Sequence, residues 1–330
     1  MDKNTLVKIL STDKYDNKLH SKARKISQNI FGNKIYVRGL IEFTNYCTNG
    51  CYYCGINANN TNLTRYRLNK KDILEACYIG NSVGIKTFVL QGGEDPYYTD
   101  DILVDIISSI KSTFPSNAIT LSIGEKSYKS YKKFYDAGAS RFLLRHETSN
   151  NEHYAKLHPQ NLKLENRLNC LNSLKEIGYQ TGCGIMIGSP YQSIEDIADD
   201  IIFMYNFKPQ MIGIGPFISH KDTIFKDFKN GSVSLTLRVL AILRILMPNL
   251  LLPSTTALGT LSDNGRENGI LAGCNVIMPN ITPKEFRAKY NLYDNKICQG
   301  EETLEGYTSL KEQMHKINYI LTSEIGDYKI

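Results

Sequence analysis

Apolar and polar residues alternate along this chain in two periods, and the switching between them predicts its layout. Short apolar runs at 35–46, 86–91, 118–123, 140–145, 181–187, 210–215, 250–255 and 274–278 read as buried strands. Between them, apolar residues every three or four positions predict helices at about 70–83, 100–113, 127–137, 165–177, 193–206, 234–246 and 264–272. The first of these shows the pattern: Asn69 caps, Asp72 stands three residues on, Ile73, Ala76, Cys77, Gly80 and Val83 share one face, and Gly84 ends it. Strand and helix in strict turn, with eight strands, predict an α/β fold of the (βα)8 TIM-type barrel kind. A doubly wound open sheet gives the same local signal, and the count of eight favours closure. Before the barrel, Leu19, Ala23, Ile26 and Ile30 mark one face of a helix that stops at Gly32-Asn33. After residue 280 the alternation ceases, apart from an amphipathic helix near 308–321. The expected organisation is a helical extension at 1–34, the barrel at 35–280 and a C-terminal extension packed on it at 281–330.

Composition changes this picture little. With 42% hydrophobic residues among 330 and a mean hydropathy of −0.30, the balance is that of a globular chain. No run reaches bilayer length and the first residues show no signal pattern, so a cytoplasmic location and no membrane association are expected. A reducing compartment also suits free thiols. The net charge of +6 is spread rather than gathered on one stripe, so nucleic-acid binding is not expected. The mild excess suits an anionic small ligand or an acidic protein partner.

Candidate chemistry centres on Cys47-Thr48-Asn49-Gly50-Cys51-Tyr52-Tyr53-Cys54, a C-x3-C-x2-C triplet directly after the first apolar run. Three thiolates this close can share a cube of iron and sulfide, and since such cubes usually take four cysteines, one iron is left open. Zinc sites usually draw a second ligand pair from a similar knuckle, whereas Cys77, Cys170, Cys183, Cys274 and Cys298 stand alone. Spacing therefore favours iron–sulfur over zinc. Polar groups follow every apolar run, among them Gln91-Gly92-Gly93-Glu94, Ser122, Arg145-His146-Glu147 and Thr255-Thr256. In a barrel these ends converge on one mouth, and the paired glycines let backbone approach a ligand.

The triplet, Tyr53 before its last cysteine and the Gly92-Gly93-Glu94 turn resemble the radical S-adenosylmethionine (SAM) superfamily. More narrowly, RGLIEFTNYC, LQGGEDPYY, LLRHET, ENRLNCL, STTALGT and CNVIMPN are similar to the HydE family of [FeFe]-hydrogenase maturases, in unbroken order from about Val37 to Ile297. The resemblance implies that Cys47, Cys51 and Cys54 hold a [4Fe–4S] cluster whose open iron chelates SAM. It further implies cofactor contacts from Tyr53, Gln91, Gly92, Gly93, Glu94, Ser122, Glu147, Arg167, Gly184 and Gly188. Arg145, Met211, Thr255, Thr256 and Tyr293 would line a substrate cavity. The implied reaction is reductive cleavage of SAM to a 5′-deoxyadenosyl radical, which attacks the sulfur of a cysteine-ligated Fe(CO)2(CN) substrate. Implied partners are an electron donor such as ferredoxin or flavodoxin and the other hydrogenase maturases, one of which makes that substrate.

Each reading has a plainer rival. Arg167 lies on a helix where a solvated guanidinium is the usual fate, Arg145 and Glu147 pair at a strand end in many proteins, and a strand methionine is usually core. Relatives with a second, peripheral cluster supply three cysteines near the C-terminus; Cys298 matches one and nothing completes the set, so a single cluster is expected. Biotin synthase needs cysteines where this chain has Gln91 and Ser122, and is disfavoured. Methylornithine synthase shares the triplet and the GEDPYY-like turn. An electron-carrier or metal-storage protein would share the cysteines alone.

Overall fold

The structure, a computed structural model, describes residues 2–297 and 303–329. Eight parallel strands follow the predicted runs: β1 (Lys34–Val37 and Gly39–Thr44), β2 (Thr87–Gly92), β3 (Ala118–Ser122), β4 (Ala139–Leu143), β5 (Gln180–Cys183, then Met186–Ile187), β6 (Met211–Ile212, then Gly215–Pro216), β7 (Pro253–Ser254) and β8 (Val276–Ile277). All six residues of Gly39–Thr44 are buried, as a parallel strand covered on both faces requires. Strands β1 to β6 pair in order, the bridge between Met211 and Leu251 carries the ladder to β7, and β7 pairs β8. Strand β8 returns to β1 through Tyr36↔Val276 and Val37↔Ile277, and the ring is closed by Leu40, which donates to Pro279 O and accepts from Ile281 N.

The helices wrap this ring. Asn69 and Asp72 form the expected capping box on Lys70–Ser82, and that helix buries Ile73, Ala76, Cys77 and Gly80 against the strands. Preceding the barrel are two helices, Lys3–Leu10 and Asp16–Phe31. The second turns Ala23, Ser27 and Phe31 inward, with Ile26 and Ile30 only half-buried, so its buried face is rotated from the expected one. Arg238 of helix Val233–Leu246 ties both down, pairing with Asp16 and donating to Leu10 O.

The C-terminal extension departs most from expectation. The helix runs Thr303–Lys316 rather than 308–321, because Asn318 takes a left-handed backbone (φ 63°). Ile320–Thr322 then forms a ninth strand, β9, parallel to the start of β1. Beyond it the chain crosses the N-terminal end of the barrel. There the fully buried Arg141 reaches Asp327 at 2.6 Å and Ile325 O at 3.2 Å, and Thr87 Oγ1 donates to Ile325 O. This plug fills the bottom of the barrel and leaves the strands' C-terminal ends as the working face. Among the described residues no helix is long and apolar enough to cross a membrane.

Candidate active site

Strand β1 ends at Thr44 and the chain leaves the barrel rim in the loop bearing Cys47, Cys51 and Cys54, all three half-buried free thiols. A second loop holds the first in place. Gly93 N donates to Thr44 O at 3.4 Å, Thr48 N to Glu94 O at 3.0 Å, and Glu94 N to Cys47 Sγ at 3.4 Å. The glycine at 93 is required by contact: a β-carbon there would lie 2.2 Å from Tyr46 O. Burial pushes the Cys51 thiol up to about 12 and raises Cys54 well above its ordinary value, so without a bound cation these thiols stay protonated. Among the described residues no three His, Cys, Asp or Glu groups converge as a single ion requires. A cube instead takes each thiolate on a separate iron.

A charged wall faces this loop. Glu147 sits just past β4 with φ 66°, an uncommon backbone for a residue with a side chain, held by its amide donating to Gly184 O. Its carboxylate lies 3.1 Å from Arg145 Nη2. Burial raises the Glu147 carboxyl, while Arg145 and Arg167 oppose that rise. Arg167, on helix Leu164–Ile177, is buried after all: its Nε is 2.6 Å from Glu125 and its Nη1 donates to Arg145 O. Behind the wall, His146 and Asp200 are both fully buried, 3.8 Å apart. Gly184 N donates to His146 Nδ1, which places the imidazole proton on Nε2, facing Asp200, and Asp200 accepts from Ser149 N.

This buried carboxyl makes a stability prediction. Burial raises Asp200 to about 7, so folding holds it neutral at pH values where the unfolded chain ionises it. Stability is therefore undiminished below the unfolded value, near 3.8, and is progressively lost as pH rises through about 7. Asp200→Asn is expected to gain melting temperature over the parent between pH 5 and 7, by on the order of a few °C, and to level off above. A flat difference across that range in thermal melts would contradict the neutral carboxyl.

A cavity of about 320 Å³ opens between the cysteine loop and the barrel interior. Tyr53, Gln91, Gly92, Ser122, Arg145, Glu147 and Arg167 line it, as do Thr255, Thr256 and Tyr293. Tyr53 meets His158 edge-on, with ring centroids 5.4 Å apart. Gly184 and Gly188 are not on the wall: Gly184 packs against Gly213 O, and Gly188 (φ 73°) packs against Gly231. Met211 is not there either. Its sulfur accepts from Arg38 near the barrel floor, and the methionines on the cavity wall are Met186 and Met278. Sequence reasoning also missed Glu42 and Lys296, a buried pair 2.5 Å apart on the cavity wall, with Asn280 Nδ2 on the other carboxylate oxygen. A charged residue inside an apolar strand was the available signal for Glu42. Cys298 lies outside the described residues.

Residues 41–204 match the family model of the radical SAM superfamily. Over 288 residues, 87% of this chain and 82% of the relative, the chain is 46% identical to the [FeFe] hydrogenase maturase subunit HydE of Thermotoga maritima. The chain belongs to the radical SAM superfamily, in its HydE family. It is also 31% identical to 3-methylornithine synthase of Methanosarcina acetivorans, over 83% of this chain and 78% of that one. Among solved structures, methylornithine synthase (PylB) superposes with a TM-score of 0.87 at 26% identity, over 97% of this chain and 94% of that chain.

Membership implies a [4Fe–4S] cluster and SAM, and the residues present fit both. Cys47, Cys51 and Cys54 would hold the cluster, which when bound supplies an open iron and a one-electron reduction. Glu147 and Arg167 both face the cavity and are buried, paired with the charged side chains of Arg145 and Glu125. A carboxylate and a guanidinium fixed side by side in this way suit a zwitterion carrying both an amino and a carboxylate group. This radical SAM enzyme uses its own side chains to bind, orient and exclude water around a reactive cofactor.

Proposed function

We propose that this chain is a hydrogenase maturase that uses SAM cleavage to act on a small anionic organometallic substrate, a cysteine-ligated Fe(CO)2(CN) unit, on the way to the di-iron subcluster. The observation that carries this reading is the inner cavity wall: Arg145 with the hydroxyls of Thr255, Thr256 and Tyr293, beside the sulfurs of Met186 and Met278. Cation and hydroxyl donors suit an anionic metal complex, and the thioethers give it a soft, apolar side. Here Arg145 would bind the substrate, while Glu147, Arg167 and the Gly92–Glu94 turn hold SAM. Tyr290 and Tyr293 line the cavity in which the adenosyl group of a bound SAM would react.

Partners in this reading are the other maturases and a one-electron donor such as ferredoxin or flavodoxin. One [4Fe–4S] cluster is proposed, so anaerobically reconstituted protein should carry about four irons per chain; about eight would require a second cluster. The deciding test adds the protein to a hydrogenase maturation mixture lacking its HydE component. Restored hydrogen evolution is expected, and none would sink the maturase reading. The methylornithine synthase likeness supplies the rival, and an amino-acid product from SAM-dependent turnover would favour it.

A further inference from the structure

We propose that the exposed apolar patch of Tyr191 and Phe228, with Ile224 on the same segment as Phe228, is the docking surface for a small acidic iron–sulfur electron carrier of the ferredoxin class. The inference rests on the radical SAM reading, which needs one electron from outside for each SAM cleaved. Tyr191 is 58% exposed, Ile224 68% and Phe228 37%, and the rings of Tyr191 and Phe228 sit 5.4 Å apart between centroids, so these two form one continuous apolar surface. Tyr191 is displayed from a left-handed backbone, φ 66°, that a side-chain-bearing residue rarely adopts.

The patch is coupled to the cysteine loop through a single buried ring. The ring centroid of Phe225 lies 6.2 Å from that of Tyr191, 5.2 Å from that of Phe228 and 6.4 Å from that of Tyr52. Tyr52 is the residue after Cys51, and its amide donates to Leu157 O at 3.0 Å. One residue earlier, Lys156 extends over the Tyr191 ring, 5.4 Å from its centroid. Tunnelling rates fall steeply with distance, so an electron carrier gains most by docking beside the loop that holds the cluster.

Charge selects the partner's sign. In segments 152–156, 191–195 and 221–230, Lys156, Lys221, Lys226 and Lys229 are exposed, against Glu152, Glu195 and Asp227 as the exposed carboxylates. An apolar centre with a cationic rim is the arrangement that steers an acidic protein into a short-lived complex. The carrier loses one electron on docking and the cluster gains it, with no atom exchanged.

The test compares the parent with Lys156→Glu/Lys226→Glu/Lys229→Glu and with Tyr191→Ala, using a reduced bacterial two-cluster ferredoxin as probe. Calorimetric binding at low salt should weaken ~10-fold or more in the triple variant and severalfold in Tyr191→Ala, and parental binding should weaken as salt is added. Ferredoxin-driven 5′-deoxyadenosine should fall in parallel while dithionite-driven 5′-deoxyadenosine stays at the parental level. Unchanged ferredoxin affinity overturns the proposal, as does an equal loss with dithionite. It is also overturned if hydrogen evolution in the maturation mixture drops while ferredoxin binding is intact, because the surface then serves another maturase. Dithionite-driven product from the parent separates the two readings: its absence removes the radical SAM function, its presence leaves docking to be judged alone.

Discussion

Cys51→Ser is expected to abolish 5′-deoxyadenosine formation and to drop the iron content of the reconstituted protein from about four per chain to well below that. Cysteine binds iron as a soft thiolate, and a serine hydroxyl neither ionises nor binds iron comparably near neutral pH. This loop supplies three cysteines; Cys77, Cys183 and Cys274 are buried in the core, and Cys170 is held on helix Leu164–Ile177 with its thiol donating to Lys126 O, so none of these replaces a loop thiolate. The fold should survive, since Cys51 sits on a half-buried loop outside the strands and helices. Cys77→Ser is the matching control. It puts a hydroxyl into the packed face of helix Lys70–Ser82, so it should cost about 1–3 kcal/mol of stability and leave iron binding intact. Parental product from Cys51→Ser, measured by chromatography after anaerobic incubation with dithionite and SAM, would remove the triplet from the reaction.

Gly93→Ala should be the next most damaging change. Its β-carbon would lie 2.2 Å from Tyr46 O and 2.6 Å from Cys47 Cβ, and neither neighbour is the far end of a flexible chain. The two loops must therefore move apart. They are joined by Thr48 N to Glu94 O and by Glu94 N to Cys47 Sγ, so the shift displaces a proposed cluster ligand together with the backbone proposed to meet SAM. Misplacement of that size costs on the order of 100-fold in a positioned reaction. A 10- to 100-fold loss of SAM affinity with a similar loss of product is expected, on the order of 1.4–2.8 kcal/mol. Gly50→Ala lies on the same loop, but its tightest contact is the Asn59 side-chain amide at 3.1 Å, which can swing away, with Pro159 Cγ at an ordinary 3.7 Å, and it should bind SAM nearly as the parent does. If equilibrium binding showed the two variants alike, the tight apposition at residue 93 would carry no functional weight.

The readable part of this protein is the part written in short windows. Asn69 and Asp72 announce a helix start because the cap and its reciprocal bond span four residues. Phe88, Val89 and Leu90 announce a strand because all three are buried, and the polar Gln91 that follows marks its working end. Helix Thr303–Lys316 was misplaced because Tyr319 to Leu321 continue an apolar pattern that a left-handed Asn318 interrupts, and backbone sign leaves no periodic trace.

What escaped the sequence is partnership across distance. Arg167 lies on a helix whose pattern places it beside solvent, and only the return of that helix against Glu125 and the carbonyl of Arg145 brings it into the site. Glu42 and Lys296 meet across 254 residues, and Arg141 finds Asp327 across 186, so no local window holds both members of either pair. Met211 shows the converse. A strand methionine was expected in the cavity, but the ring's closure carries it to the floor beside Arg38 and gives the cavity Met186 and Met278. By itself the sequence determined the eight-strand order, the cysteine triplet and the glycine turn, because each is set by sterics and spacing between near neighbours. The tertiary structure alone decided which charges face the cavity, what plugs the barrel and which aromatic rings reach the surface beside the cysteine loop. Periodicity reports that a face is buried, whereas only barrel closure determines what it is buried against.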